Sequence, residues 1–432
     1  MDSVWVKGNN ELRFDTLKKD ISTDVLIIGG GITGLLCAYM LKTEGVDCVL
    51  VEADRICSGI TKNTTAKITV GHGLIYDNLI SRYGQEKAQM YLDAQLWACK
   101  QYADMCGKID CDYKVKSSYV YSFNNYVKIE REINALNKLG LNAEYSKAEK
   151  LPFKVAGAVC VKNQAQFHPL KFAYSVAKGL PIYENTKVLE LLPNKAITKY
   201  AEINCKKIIV ATHFPILNKH GAYFVKMYQH RSYVLALKGA SNVDGMYVDE
   251  RDKGLSFRNY NDLLLLGGGS HRTGKNGGNW RELEEFTKKY YKGADIVGRW
   301  ATQDCMTLDR VPYIGHYSKN TKDIYVATGF NKWGMTSSMV AANILSDLVR
   351  EKTNRYQEVF SPSRTMLHPQ LAVNIFESVV GLLTPTVPRC PHLGCALKYN
   401  YAEHSWDCPC HGSRFTKDGQ LIDNPATDDK RF

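Results

Sequence analysis

The chain has 432 residues, 44% of them hydrophobic and 23% charged, with 33 Gly and 13 Pro; these are the proportions of a folded protein of about two to three domains and exclude a disordered or fibrous chain. No apolar run is long enough for a membrane span, and the first residues lack a basic segment leading into an apolar one, so a cytoplasmic address is expected. Lys and Arg number 56 against 44 Asp and Glu, a net charge of +12, yet the basic residues are scattered rather than gathered in dense runs. No nucleic-acid partner is expected; a solvated basic surface is the favoured reading of the charge over a polyanion site, with attraction for an acidic electron-transfer partner between them. Thirteen Cys without an export signal argue for reduced thiols or metal ligands.

Residues 24–28 (DVLII) are β-branched and apolar and run into Gly29-Gly30-Gly31-Ile32-Thr33-Gly34, which opens a helical stripe. A second apolar strand, 46–51, ends at Glu52. Strand, glycine turn, helix and strand with a terminal acid make a dinucleotide-binding unit. Gly29 allows the tight turn, Gly31 lets backbone approach a pyrophosphate and Gly34 lets helix and sheet pack closely, while Glu52 accepts from ribose hydroxyls and disfavours a 2′-phosphate. Residues 85–150 read as an amphipathic helical insertion belonging to a second lobe. Strands are expected at 157–161 and 207–211, and an antiparallel sheet from 231–237, 246–248 and 263–266. Residues 324–328 form another strand that runs into a glycine turn and a helix from about 335 to 350, so distant segments complete the nucleotide domain. Residues 351–386 read as a linker.

On these motifs residues 22–350 resemble the flavin amine and amino-acid oxidoreductases of the D-amino-acid oxidase and glycine oxidase type. The glycine unit with Glu52 carries part of the likeness. So do Arg55 and Ser58 through Lys67, the stretch Thr307-Leu308-Asp309-Arg310-Val311-Pro312-Tyr313-Ile314-Gly315 (TxDxxPxIG), and the closing Ala327-Thr328-Gly329-Phe330 with Gly334-Met335-Thr336. The resemblance implies FAD, with Gly29, Gly31, Ile32, Thr33, Gly34, Glu52, Ala53, Arg55, Ser58, Thr64, Thr65, Ala66, Val188, Ala211, Thr212, Gly329, Phe330, Gly334, Met335 and Thr336 as its contacts. His213 stands where the family has the glycine of an ATG turn, and Asp304 where glycine oxidase has the arginine that grips a carboxylate. A carboxylate there attracts an ammonium, so an amine-type substrate is favoured; pairing of Asp304 with a neighbour such as Arg299 is the structural alternative. His271, Arg272 and Lys67 are further catalytic candidates, His271 as a proton relay or as a purely structural residue. Cys305 is out of register for a covalent flavin bond, so the FAD is expected to be noncovalent.

Near the end, Cys390-Pro391-His392-Leu393-Gly394-Cys395 and Cys408-Pro409-Cys410-His411-Gly412-Ser413 resemble the two boxes of a Rieske domain. The resemblance implies a [2Fe-2S] cluster on Cys390, Cys408, His392 and His411, and a Cys395–Cys410 disulfide that a reducing cytosol would oppose. Two imidazoles in place of thiolates raise the potential to between about −150 and +300 mV, within reach of a reduced flavin. A structural Cys2His2 zinc site is the alternative, for which the Cys-x-His step is short. So short a module must lean on the rest of the chain for its core.

The expected fold class is α/β: a Rossmann-like FAD-binding domain, an α+β substrate domain with an antiparallel sheet, and a small β-rich Rieske-type subdomain. The expected divisions are 1–84, 151–215 and 321–350 for FAD binding, 85–150 for the helical part of the substrate lobe, 216–320 for the substrate domain, 351–386 for the linker and 387–432 for the minimal Rieske domain. The expected function is that of an FAD-dependent dehydrogenase that oxidises a C–N bond of an amine or amino acid and passes electrons singly through the cluster to an unidentified one-electron carrier. Two alternatives stay open: the same machinery run as a reductase from an external donor, and a non-catalytic redox sensor or scaffold. An oligomer is also left open.

Overall fold

The computed structural model describes residues 2–8, 11–217, 220–385 and 388–430; the expected boundary at 386 and 387 lies outside them. The first sheet runs in the order Tyr313–His316, Ile324–Thr328, Glu202–Val210, Ile21–Ile28, Cys48–Val51, Ile182–Tyr183. Its central strands are parallel, with Ile27 beside Ile209 on one side and Leu50 on the other. Strands buried on both faces need continuous apolar sequence, and Val25 through Ile28 and Ile208 through Val210 supply it. Helices Ile32–Thr43 and Gly334–Val349 pack together over this sheet, joined by a 2.8 Å hydrogen bond between the Thr33 and Ser338 hydroxyls. The strands' C-terminal ends, Ile28, Val51, Val210 and Thr328, point the chain into one crevice, the usual ligand position of an open parallel sheet.

The second sheet follows the order Asp295–Thr307, Met227–Lys238, Leu263–Arg272, Ser256–Tyr260, Met246–Asp249, Lys114–Ser122, Gly157–Gln166, Lys67–Ile68. It is antiparallel except between Met246–Asp249 and Lys114–Ser122. Two expectations are corrected here. Residues 85–150 are not helical throughout: strands Lys114–Ser122 and Ala143–Ser146 lie within them. Strand Gly157–Gln166, expected in the nucleotide domain, pairs with Lys114–Ser122 in this second sheet. The two longest strands, Met227–Lys238 and Asp295–Thr307, pair from Met227 beside Thr307 to Lys238 beside Asp295, with one register shift between Ala236 and Leu237, and form a dividing ladder.

Four short antiparallel strands, Lys398–Asn400, Ser405–Asp407, Arg414–Thr416 and Leu421–Asp423, form the third sheet, over a small core of Leu397, Phe415 and Ala426 with the box cysteines. The stretch expected as a linker contains helix Pro369–Leu383. Its inner face is small and polar (Asn374, Ser378, Gly381), and its outer face is apolar, with Phe376 and Leu383 66% and 77% exposed. A Cβ on Gly381 would overlap the Cys410 sulfur, so the inner face is small because the helix lies directly on the second box. Among the described residues, no helix is long and apolar enough to cross a membrane.

Candidate functional site

A cavity of about 860 Å³ opens at the crevice of the first sheet and extends to the second, at the upper end of the range for ligand pockets. Of the expected cofactor contacts, Gly29, Gly31, Ile32, Thr33, Glu52, Ala53, Arg55, Ser58, Thr64, Thr65, Val188, Ala211, Thr212, Gly329, Phe330, Gly334 and Met335 line it. Gly29 has φ 109°, and a Cβ there would stand 2.6 Å from the Ala211 carbonyl oxygen. The turn is therefore open because side chains are sterically forbidden in it. Glu52 accepts from Gly30 N at 2.6 Å and Asp54 N at 2.9 Å, and burial raises its pKa.

Three expected contacts are not on the wall. A Cβ on Gly34 would overlap the Gly29 carbonyl, so Gly34 serves packing beneath the turn. Ala66 directs its carbonyl to Arg258 at 2.7 Å. The Thr336 hydroxyl is hydrogen-bonded to His72 Nε2 at 3.0 Å. His72 itself lines the cavity, stacks on Trp333 at 4.9 Å and bonds Tyr91 OH at 2.7 Å; burial lowers its pKa to about 3, which keeps it neutral. Sequence reasoning missed His72, although its setting between Gly71 and Gly73 just after a strand was a usable signal.

Of the catalytic candidates, Lys67 and Asp304 line the cavity. Burial, then the Arg258 charge, lowers Lys67 to about 7; its Nζ donates to Thr65 Oγ1 at 2.9 Å. Burial raises Asp304 to about 6, with Lys332 and Arg231 opposing. Arg299 pairs with Glu284 instead of Asp304. Lys332 also lines the cavity and was missed; its φ of 73° follows the equally left-handed Asn331, and its Nζ donates to the Asp252 carbonyl at 3.0 Å.

His271 and Arg272 do not line the cavity; both face the C-terminal sheet. His271 sits between Tyr233 OH at 2.9 Å and the Arg272 carbonyl at 2.9 Å. Arg272 donates to the carbonyls of Pro409 at 3.3 Å and Cys410 at 3.2 Å and to Asn374 Oδ1 at 3.0 Å. Successive side chains on a strand point to opposite faces, and the dividing ladder uses both. On one face Gln229 Nε2 donates to the His411 carbonyl at 3.1 Å and Gln303 Nε2 to the Gly412 carbonyl at 2.9 Å. On the other, Thr302 and Asp304 line the cavity. A buried ion-pair cluster on the same side as the glutamines completes the docking: Glu403 accepts from Arg231, from Arg414 at 2.8 Å and from Tyr233 OH at 3.0 Å. Burial alone would raise Glu403, but the two guanidiniums hold it at about 2.

The two C-terminal boxes fold alike. Cys390 N donates to Cys395 O and Cys408 N to Ser413 O, each at 2.8 Å, while Gly394 N returns to Cys390 O and Gly412 N to Cys408 O, each at 2.9 Å. The turns bring the Cys390 and Cys408 thiols into hydrogen-bond contact and the His392 and His411 rings to 5.0 Å, and a disulfide joins Cys395 to Cys410. His411 Nδ1 is buried with no hydrogen-bond partner among the described residues. Two buried thiols in contact and two imidazoles whose rings lie 5.0 Å apart are the donor set that a cluster with two Cys and two His ligands takes. The glycine cradle fits a dinucleotide equally well.

Within the motif TxDxxPxIG, Arg310 lines the cavity while Asp309 is held in a buried ion pair. Although burial opposes it, Arg364 holds Asp309 at about 2 through bonds of 2.6 and 2.8 Å; Tyr83 OH adds 2.8 Å. Thr307 N donates to Asn331 Oδ1 at 2.8 Å, which ties the motif to the cavity-lining turn 329–334.

Two family models match the chain: FAD dependent oxidoreductase (DAO) over residues 24–348 and Rieske [2Fe-2S] domain over 364–431. The "Putative Rieske 2Fe-2S iron-sulfur protein YhfW" of Bacillus subtilis (strain 168) is 36% identical, covering 98% of this chain and 96% of the relative. Gamma-glutamylputrescine oxidoreductase of Escherichia coli (strain K12) is 24% identical over 81% of this chain and 88% of its own. Among solved structures, glycine oxidase from Geobacillus kaustophilus aligns with TM-score 0.68 at 16% identity, covering 80% of this chain and 99% of its own. L-proline dehydrogenase from P. horikoshii aligns at 0.67 and 18%, covering 80% and 98%.

Proposed function

Because the chain belongs to the FAD-dependent oxidoreductases of the DAO family and carries a Rieske [2Fe-2S] domain, we propose that it dehydrogenates a C–N bond of an amine or amino acid and delivers the electrons singly, through the Rieske domain, to an external carrier. FAD supplies hydride acceptance and the cluster one-electron exchange. The observation that carries this reading is the dividing ladder: Gln303 holds the second cluster box on one face while Asp304, the next residue, lines the flavin cavity on the other. One layer of backbone is all that intervenes, and sheets and their partners stack about 10 Å apart.

The residues have distinct tasks. Asp304, ionised above about pH 6, accepts from the substrate's N–H groups and orients the C–H bond beside nitrogen. Lys67 Nζ, near neutrality because it is buried, takes up a proton that the substrate amine releases. His72 stays neutral and, fixed between Tyr91 and Thr336, presents a ring edge rather than a charge to the cavity. The gamma-glutamylputrescine relative and the amino-acid-oxidising structures of like fold support an amine-type substrate; Asp304 favours the ammonium end of it.

Anaerobic mixing with a panel of amines, including gamma-glutamylputrescine and proline, tests the proposal by flavin bleaching followed by the EPR signal of the reduced cluster. Bleaching without cluster reduction would overturn the electron route. An unbleached flavin across the panel, combined with flavin reduction from a reduced ferredoxin, would favour the reverse direction instead.

A further inference from the structure

We infer that the last turn of the Rieske domain, residues 421–429, forms a wall of the FAD site at its adenosine and pyrophosphate end, so that flavin retention depends on this turn being docked. The inference rests on the assignment of the cavity to FAD. Leu421, Ile422, Asp423, Asn424, Ala426, Thr427 and Asp429 line the same cavity as Glu52 and the glycine turn.

The turn is clasped at two places, and each lies next to a dinucleotide contact. Asn424 Nδ2 donates to the carbonyls of Thr212 at 3.1 Å and Phe214 at 2.8 Å, while its own carbonyl accepts from Gln229 at 2.7 Å. Thr212 follows Ala211, whose N bonds Ile28 O at 2.8 Å and whose carbonyl faces Gly29. That is the pyrophosphate side, since the tight glycine turn is where backbone approaches phosphate. At the second clasp Lys187 Nζ donates to the Thr427 carbonyl. Its neighbour Thr186 bonds Glu52 O through its N at 2.8 Å, and Glu52 is the ribose acceptor of the unit.

Within the space so enclosed, His213 lines the cavity and its buried Nε2 has no hydrogen-bond partner among the described residues. Its φ of 63° is a conformation that usually selects glycine. A strained histidine with an unsatisfied ring nitrogen beside the phosphate end has a ready role as donor to the pyrophosphate. Burying a nitrogen without a partner is otherwise unfavourable. Of the two acids in this wall, Asp423 is paired with Arg414 at 3.0 Å and Asp429 accepts from Leu421 N at 2.9 Å.

The test is titration of deflavinated full-length protein with FAD and, separately, with FMN, which lacks the adenylate, for wild type, Asn424→Asp and His213→Ala. The cluster's visible and EPR spectra serve as the check that the Rieske domain is folded. Replacing the amide that donates to two carbonyls by a carboxylate should weaken FAD by at least about tenfold, as expected for the loss of two hydrogen bonds, with FMN affinity unchanged and the cluster spectra intact. H213A should weaken FAD in the same selective way. FAD affinities equal to wild type in both variants would overturn the inference, as would equal losses for FAD and FMN. Wild-type protein that binds no FAD would overturn the assignment of the cavity itself.

Discussion

The flavin cavity is kept open at its first turn by glycines whose Cβ atoms would collide with Ala211 and with Gly29 itself, whereas the four side chains we propose as cluster ligands stand on two turns that share one hydrogen-bond pattern. The first site is held up by a large core and parallel strands; the second has a core of a few residues and depends on Gln229, Gln303 and Arg231 of the dividing ladder for its support. A backbone site inside a large core fails when the fold fails, while a side-chain site on a small module fails one ligand at a time. The two should therefore be separable by mutation in either direction.

The sharpest break is C408S, which removes one of the two thiolates we propose as cluster ligands. Iron content and the EPR signal should fall to background while the flavin absorbance persists; G34A should do the reverse, because a Cβ overlapping the Gly29 carbonyl forces the glycine turn open. Iron and flavin analysis of the two variants checks both, and zinc in place of iron in wild type would show the second site to be purely structural.

The next effect is at the interface between the regions. E403A leaves Arg231 and Arg414 buried without their shared partner, which should destabilise the docked state by about 3–5 kcal/mol, read as earlier proteolysis of the last strands and a lower urea midpoint. The same interaction predicts acid sensitivity. Glu403 is held at about 2, below its ordinary 4.5, so its contribution is complete above about pH 4.5 and is lost as pH falls toward 2. Loss of cluster-domain docking in that window, absent in E403Q, checks it.

How far each region could be read from sequence reflects the same contrast. The glycine turn, Glu52 and the two boxes were legible because local backbone or ligand chemistry dictates residue types within a few positions. Glu403 and Arg231 lie 172 residues apart and Asp309 and Arg364 55 apart, so neither pair leaves a spacing to recognise. Helix Pro369–Leu383 was hidden for a different reason. Its apolar residues face outward and its inner face is Asn, Ser and Gly, the inverse of the pattern that marks a helix packed on a core. His271 and Arg272 were misplaced because a strand-end histidine and arginine look the same from either side of a sheet, and only their hydrogen bonds, to Tyr233 and to the second box, show which side they serve.

The smallest predicted effect concerns the face of the ladder that the substrate meets. D304N removes the carboxylate proposed to receive the ammonium, so KM should rise about tenfold with little change in kcat, the signature of lost uniform binding. In wild type, kcat/KM should climb as pH rises through about 6, where Asp304 ionises, and that limb should vanish in D304N. Stability should move the other way. A carboxyl whose pKa is raised by burial from its ordinary 3.8 to about 6 favours the fold most below pH 3.8, and this advantage is lost as pH rises through 6. The neutral amide escapes that loss, so D304N should be more stable than wild type at pH 7 by roughly 3 kcal/mol. A variant that binds substrate worse and resists urea better would mean that Asp304 is retained for its charge in the cavity; lower stability would mean that it is a structural partner of Lys332.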